Sequence, residues 1–100
     1  MPEFVKVADV GDVAPGGGLC VEAAGKQIAL FNVGGTFYAV DNTCPHRGGP
    51  LAEGELEGAT VTCPWHAWQF DLTTGESLTD DSKVDRYEVK VEGDAVLVAV

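Results

Sequence analysis

One hundred residues suit one domain, which at this size buries roughly 60 to 70% of the surface its unfolded chain exposes and leaves no room for a second catalytic domain. Apolar residues at 45% and charged residues at 22% exclude a disordered or collagen-like chain. Six Lys and Arg against sixteen Asp and Glu, a formal charge of -10, speak against nucleic acid and anionic membrane surfaces as partners; the charge suits a basic protein partner or plain solubility.

From the start, Met1 to Val7 runs straight into an alternating pattern without the basic start and apolar stretch of a signal peptide. No run approaches the roughly 18 to 20 apolar residues that cross a bilayer. Three cysteines, an odd number, fit a reducing compartment better than a disulfide framework. A cytoplasmic protein is expected.

Short Val-, Ile-, Phe- and Tyr-rich segments separated by glycines predict an all-β chain with no sizeable helix. In chain order, strands are expected at Phe4–Val7, Leu19–Ala23, Gln27–Val33, Thr36–Asp41, Thr60–Cys63, Ala67–Leu72, Tyr87–Val91 and Ala95–Val100. Gly34-Gly35 and Gly93-Asp94 supply the positive φ angles of tight hairpin turns. Gly11 to Gly18, with Pro15 and three consecutive glycines, reads as a surface loop with little to bury.

Two segments break the strand pattern with proline beside metal-binding side chains: Cys44-Pro45-His46-Arg47-Gly48-Gly49-Pro50 and Cys63-Pro64-Trp65-His66. Both histidines of the chain lie here, each close behind a cysteine. Two thiolates and two imidazoles close a tetrahedral zinc site, or bind two irons asymmetrically, with both cysteines on one and both histidines on the other. Zinc sites of this composition usually group like with like, whereas here each loop contributes one of each.

These two loops resemble the cluster loops of the Rieske family, and Pro50-Leu51 and Phe70-Asp71-Leu72-Thr73-Thr74-Gly75-Glu76 resemble its linking and following segments. The resemblance is strongest over residues 37 to 76. It implies a Rieske fold, an antiparallel basal β domain (residues 1–42 and 76–100) with a small inserted cluster-binding β subdomain (about 43–75). It further implies one Rieske-type 2Fe-2S cluster, with Cys44 and Cys63 on the buried iron and His46 and His66 on the iron nearer solvent. Neutral imidazoles in place of two thiolates make such a cluster easier to reduce. Gly48 and Gly49 suit a nest of backbone N–H groups toward the sulfides, and Pro45 and Pro64 restrict the loops.

Departures from the family pattern narrow the type. Gly49 and Trp65 stand where respiratory Rieske proteins carry a disulfide, and Trp68 and Phe70 stand where they carry hydroxyl residues bonded to cluster sulfurs. Two missing bonds of roughly 1.5 to 3 kcal/mol each lower the potential by roughly 130 to 250 mV, which places it near the low end of the Rieske range, about -150 mV. The segment Ser77 to Lys83 lacks the proline found in the cluster-covering loop of many Rieske ferredoxins.

The resemblance implies an electron carrier, not an enzyme, that takes electrons from a flavin reductase and passes them to a terminal oxygenase such as an aromatic-ring-hydroxylating dioxygenase. A small Rieske subunit of an NAD(P)H-dependent nitrite reductase is the alternative in the same class; a zinc-stabilised interaction module is the alternative in another. An oxygenase is excluded, because its mononuclear iron needs histidines that the cluster already occupies. Cys20 reads as a buried apolar filler, Trp65 as exposed and Trp68 as buried. Arg47 and Asp80-Asp81 read as ordinary surface charge.

Overall fold

β-Branched and aromatic residues in alternation favour extended backbone because their side chains pack on a pleated, half-buried surface. The structure, a computed structural model, describes residues 3–43, 50–64, 68–78 and 82–100. Among them ten strands run β1 (Phe4–Asp9), β2 (Gly18–Ala23), β3 (Lys26–Val33), β4 (Thr36–Asp41), β5 (Glu55–Glu57), β6 (Thr60–Thr62), β7 (Gln69–Asp71), β8 (Arg86–Tyr87), β9 (Val89–Glu92) and β10 (Ala95–Ala99). They form three antiparallel sheets, ordered β1-β10-β9, β2-β3-β4-β8 and β5-β6-β7. The all-β expectation holds.

The β3–β4 hairpin is the spine. Its register pairs Val33 with Thr36 and Ile28 with Asp41, and Gly34 and Gly35 turn it with φ of 59° and 98°, a conformation that glycine adopts without Cβ strain. Ile28 through Phe31 of β3 are fully buried, so both faces of this strand are covered. On one face, Ile28 and Leu30 pack with Val21, Ala39, Val96 and Val98. On the other, Ala29 and Phe31 pack with Val40, Leu51, Val61, Cys63, Phe70 and Leu72. The four-stranded sheet thus lies between two cores. The second core joins it to the short-stranded sheet that carries Cys63.

Several expectations need correction. The Tyr87–Val91 strand is two: β8 pairs with β4, β9 pairs with β10, and the chain changes sheets at Glu88, whose carbonyl accepts the Ala99 N–H at 2.9 Å. β5 was not expected, because its Glu-Leu-Glu core is too short and too acidic to stand out; Leu56 nevertheless packs onto the second core, and Gly58 (φ 59°) turns the chain into β6. The Gly11–Gly18 segment is not all loop. A 3-10 turn covers Val10–Asp12, Gly18 opens β2, and Val13 is buried.

Cys20 is exposed, not a core filler. It lies on β2, at the edge of its sheet, opposite Ala29, so its side chain has a neighbour strand on one side only. Trp68, expected to be buried, is half-buried and packs against the edge of the second core. Trp65, Arg47 and Asp80-Asp81 lie outside the described residues, as do Pro45, Gly48 and Gly49. No described helix is long and apolar enough to cross a membrane.

Candidate metal centre

The feet of the first motif are held tightly. Ahead of it, Asp41 Oδ1 accepts the Thr43 N–H at 2.9 Å, an Asx turn that bends the chain out of β4. Thr43 and Pro50 then face each other as an antiparallel bridge. Beyond the motif, a 3-10 turn at Leu51–Glu53 buries Leu51 and Ala52. Asn42 clasps this turn: its backbone carbonyl accepts the Leu51 N–H at 2.8 Å, and its side-chain Oδ1 accepts the Ala52 N–H at 2.9 Å.

The second motif is closed in a comparable way. Cys63 donates its N–H to the Trp68 carbonyl at 2.6 Å, one step beyond the last β6–β7 pair, Thr62 with Gln69. The two closures sit against each other because Gly54 ends the Leu51–Glu53 turn on top of β6. A Cβ on Gly54 would overlap the Thr62 carbonyl oxygen and lie 3.0 Å from Val61 Cγ2. The segment after the first motif therefore abuts the segment before the second.

Of the four candidate ligands, the structure describes Cys63; Cys44, His46 and His66 lie outside the described residues. Cys63 is 1% exposed and sits in the core with Leu51, Val61 and Phe70. A recess of about 390 Å³ opens beside it, lined by Glu53, Gly54, Glu55, Thr62, Cys63 and Pro64. A soft thiolate donor shielded from bulk water fits an iron–sulfur group. Among the described residues no set of three or more His, Cys, Asp or Glu side chains gathers around a common point.

Phe70, one of the two residues expected to stand where respiratory Rieske proteins carry hydroxyls, is fully buried in the same core as Cys63. Its ring is apolar and donates no hydrogen bond. Asn42, 6% exposed, escaped the sequence reading. Its signal was faint, because Asp41-Asn42-Thr43 has the composition of any polar turn.

Two described groups have displaced ionisation. Asp71 is held below its ordinary value of 3.8, first by the Thr73 hydroxyl and then by the Thr73 N–H, with a smaller contribution from Arg86. Burial raises the Tyr87 phenol, and Asp41 and Asp85 add to the effect.

Comparison with known proteins adds the deciding observation. Residues 3–92 match the family model described as the Rieske [2Fe-2S] domain. The chain belongs to the Rieske [2Fe-2S] family. It is 44% identical over 94 residues to the 3-phenylpropionate/cinnamic acid dioxygenase ferredoxin subunit of Escherichia coli (strain HS), covering 89% of this chain and 86% of that one. It superposes with TM-score 0.88 and 33% identity on a chain from a complex of reduced oxygenase and oxidised ferredoxin in carbazole 1,9a-dioxygenase, covering 96% and 92% of the two chains. It superposes with TM-score 0.93 and 27% identity on a protein from Mycobacterium tuberculosis described as a "putative NADH-dependent nitrite reductase small subunit", covering 100% and 96%.

This membership selects between the two metal readings left open by the sequence. The Rieske protein carries a 2Fe-2S cluster, and the zinc-stabilised module is set aside. The relatives named as ferredoxins are electron-transfer components rather than catalysts in their own right.

Proposed function

We propose that this Rieske protein is a low-potential electron carrier whose cluster is held by Cys44, His46, Cys63 and His66. The observation that carries the reading is the position of Cys63, buried where the foot of one motif meets the foot of the other. Cys44 and Cys63 would hold one iron and His46 and His66 the other. Residues 43–75 form the cluster-binding subdomain, and residues 1–42 with 76–100 form the basal domain.

When bound, the cluster accepts and releases one electron at a time. The chain's own part is to hold the thiolates away from water and to present the imidazole edges at the surface, where a partner approaches. Its excess of acidic residues favours basic partner surfaces and speeds encounter more than it tightens binding. The electron source is a flavin reductase and the recipient a terminal oxygenase, by analogy with the ferredoxin component seen with its oxygenase. The exposed thiol of Cys20 suits the reducing cytoplasm.

A second reading keeps the same chemistry with another recipient. Superposition over the whole chain at TM-score 0.93 favours the small subunit of a nitrite reductase equally well in shape. Both readings require the cluster. Dithionite-reduced protein purified without air is expected to show a rhombic EPR signal of low average g, and His66→Ala is expected to abolish it. An unchanged signal in that variant, or zinc in place of iron in the unsubstituted protein, overturns the assignment. Electron delivery to a purified dioxygenase or to a nitrite reductase large subunit then separates the two recipients.

A further inference from the structure

Two buried asparagines punctuate the β3–β4 hairpin, Asn32 near its turn and Asn42 just past its open end. A buried side-chain amide persists only where its hydrogen bonds are made, so each marks a place where the backbone needs a fixed partner. Asn32 serves the end remote from the motifs, where Nδ2 donates to the Val13 carbonyl and Oδ1 accepts the Gly35 N–H, both at 2.8 Å. Asn42 does something different. It receives the consecutive N–H groups of Leu51 and Ala52, which follow the first motif, while its own N–H donates to Gln27 of β3 at 3.1 Å.

The first motif therefore leaves and re-enters the fold at a single residue anchored to the central strand. What it re-enters is the turn that places Leu51 in the same core as Cys63 and, through Gly54, abuts the peptide leading into Cys63. The first N–H groups of a 3-10 turn have no partner within the turn, and buried ones need an acceptor from elsewhere. Asn42 Oδ1 is that acceptor for Ala52, which is 8% exposed.

We infer, on the ligand assignment proposed above, that Asn42 is a positioning residue for the cluster: it sets the span of the first ligand loop and its height against Cys63. The loop then meets the irons with its feet already placed, and the cost of ordering it is borne by the fold rather than by the metal. Without the Oδ1 acceptor the Leu51–Glu53 turn loosens, and bound iron is released faster.

The test compares iron release from reduced holoprotein to a ferrous chelator in three variants. Asn42→Ala is expected to release iron roughly tenfold faster or more, the effect of losing one acceptor for a buried N–H. Asn42→Asp keeps an acceptor at the same point and is expected to restore slow release. Asn32→Ala removes a comparable buried amide at the other end of the hairpin and is expected to leave release unchanged while lowering stability. Equal release from Asn42→Ala and Asn32→Ala at matched stability makes Asn42 merely structural and overturns the inference, as does failure of Asn42→Asp to restore it.

Should Asn42→Ala not fold, hydrogen exchange on the unsubstituted holoprotein decides. The Leu51 and Ala52 amides are expected to be as protected as those of β3 and β4, and exchange at the rate of an open loop refutes the clasp. Absence of iron from the unsubstituted protein overturns the ligand assignment and this inference together. A loaded but normally releasing Asn42→Ala overturns the inference alone.

Discussion

The side chain of Asn32 donates from Nδ2 to the carbonyl of Val13 at 2.8 Å, across nineteen positions of sequence. It ties the glycine-rich segment after β1 to the central hairpin, and two backbone bonds reinforce the tie, Gly16 N–H to the Asn32 carbonyl at 2.7 Å and Asn32 N–H to the Gly17 carbonyl at 3.1 Å. Replacement by alanine leaves the Val13 carbonyl and the Gly35 N–H without that partner. Asn32→Ala is expected to lower stability by about 1 to 3 kcal/mol. Urea unfolding of the holoprotein measures it, and a loss well under 0.5 kcal/mol, a level of ordinary surface substitutions, contradicts the role given to this amide.

Gly54 and Gly58 lie close in sequence and meet opposite surroundings. A Cβ on Gly54 runs into the Thr62 carbonyl and lies 3.1 Å from the Leu51 carbonyl, both backbone atoms that cannot swing aside. A Cβ on Gly58 meets nothing within 4 Å, but its φ of 59° disfavours any side chain. Gly58→Ala is expected to cost about 1 to 2 kcal/mol through φ alone. Gly54→Ala is expected to cost more and also to weaken cluster retention, because the contact it forces apart leads into Cys63. Equal loss of stability with equal retention of iron would show that the close approach is not needed.

Phe70 leaves the buried side of the centre without a hydroxyl. Loss of two charge-assisted hydrogen bonds to sulfur corresponds to roughly 130 to 250 mV. Protein-film voltammetry near neutral pH is expected to give about -150 mV, the low end of the Rieske range. A clearly positive value contradicts it.

Asp71 carries a pH dependence of stability of definite sign. The Thr73 hydroxyl donates to its Oδ1 at 2.6 Å and the Thr73 N–H at 2.8 Å, so its folded value lies below the ordinary 3.8. The unfolded chain then binds more protons than the folded one in acid. The contribution is complete above the ordinary carboxylate range and disappears as pH falls through the lowered folded value. Asp71→Ala is expected to be less stable near neutrality and to show a shallower acid limb in apparent stability against pH. Superimposable acid limbs for the two proteins refute the linkage. Asp71 is too accessible for the effect to be large.

The strands legible in advance were those whose side chains alternate over a long enough run: β3 and β4 were expected almost to the residue, because Gln27–Val33 and Thr36–Asp41 are rich in β-branched and aromatic residues around a Gly-Gly turn. Glu55–Glu57 was illegible because three residues carry almost no period, and its strand state comes from Leu56 reaching the core. The break at Glu88 was illegible because nothing in Tyr87-Glu88-Val89 marks a change of partner; two sheets compete for that strand, and tertiary packing decides. Cys20 misled for a related reason. Residue type gives an average burial, and whether the strand lies at an edge decides the case.

The motifs themselves stood out because Cys and His are scarce in this chain and paired in kind. The machinery that carries them did not, because Asn42 and Gly54 act through backbone groups, and a backbone contact leaves no compositional trace. What was readable was the identity of the chemistry. What was not was how the fold holds it still.

The pairing of β1 with β10, Phe4 opposite Ala99 and Val5 opposite Val98, bears on biosynthesis. A ribosome delivers the chain from its amino end, so β1 is made well before β10, its partner strand among the described residues. Pairings between such distant segments are intrinsically slow. The β3–β4 hairpin, whose strands are sequence neighbours, is thus expected to form ahead of the outer sheet.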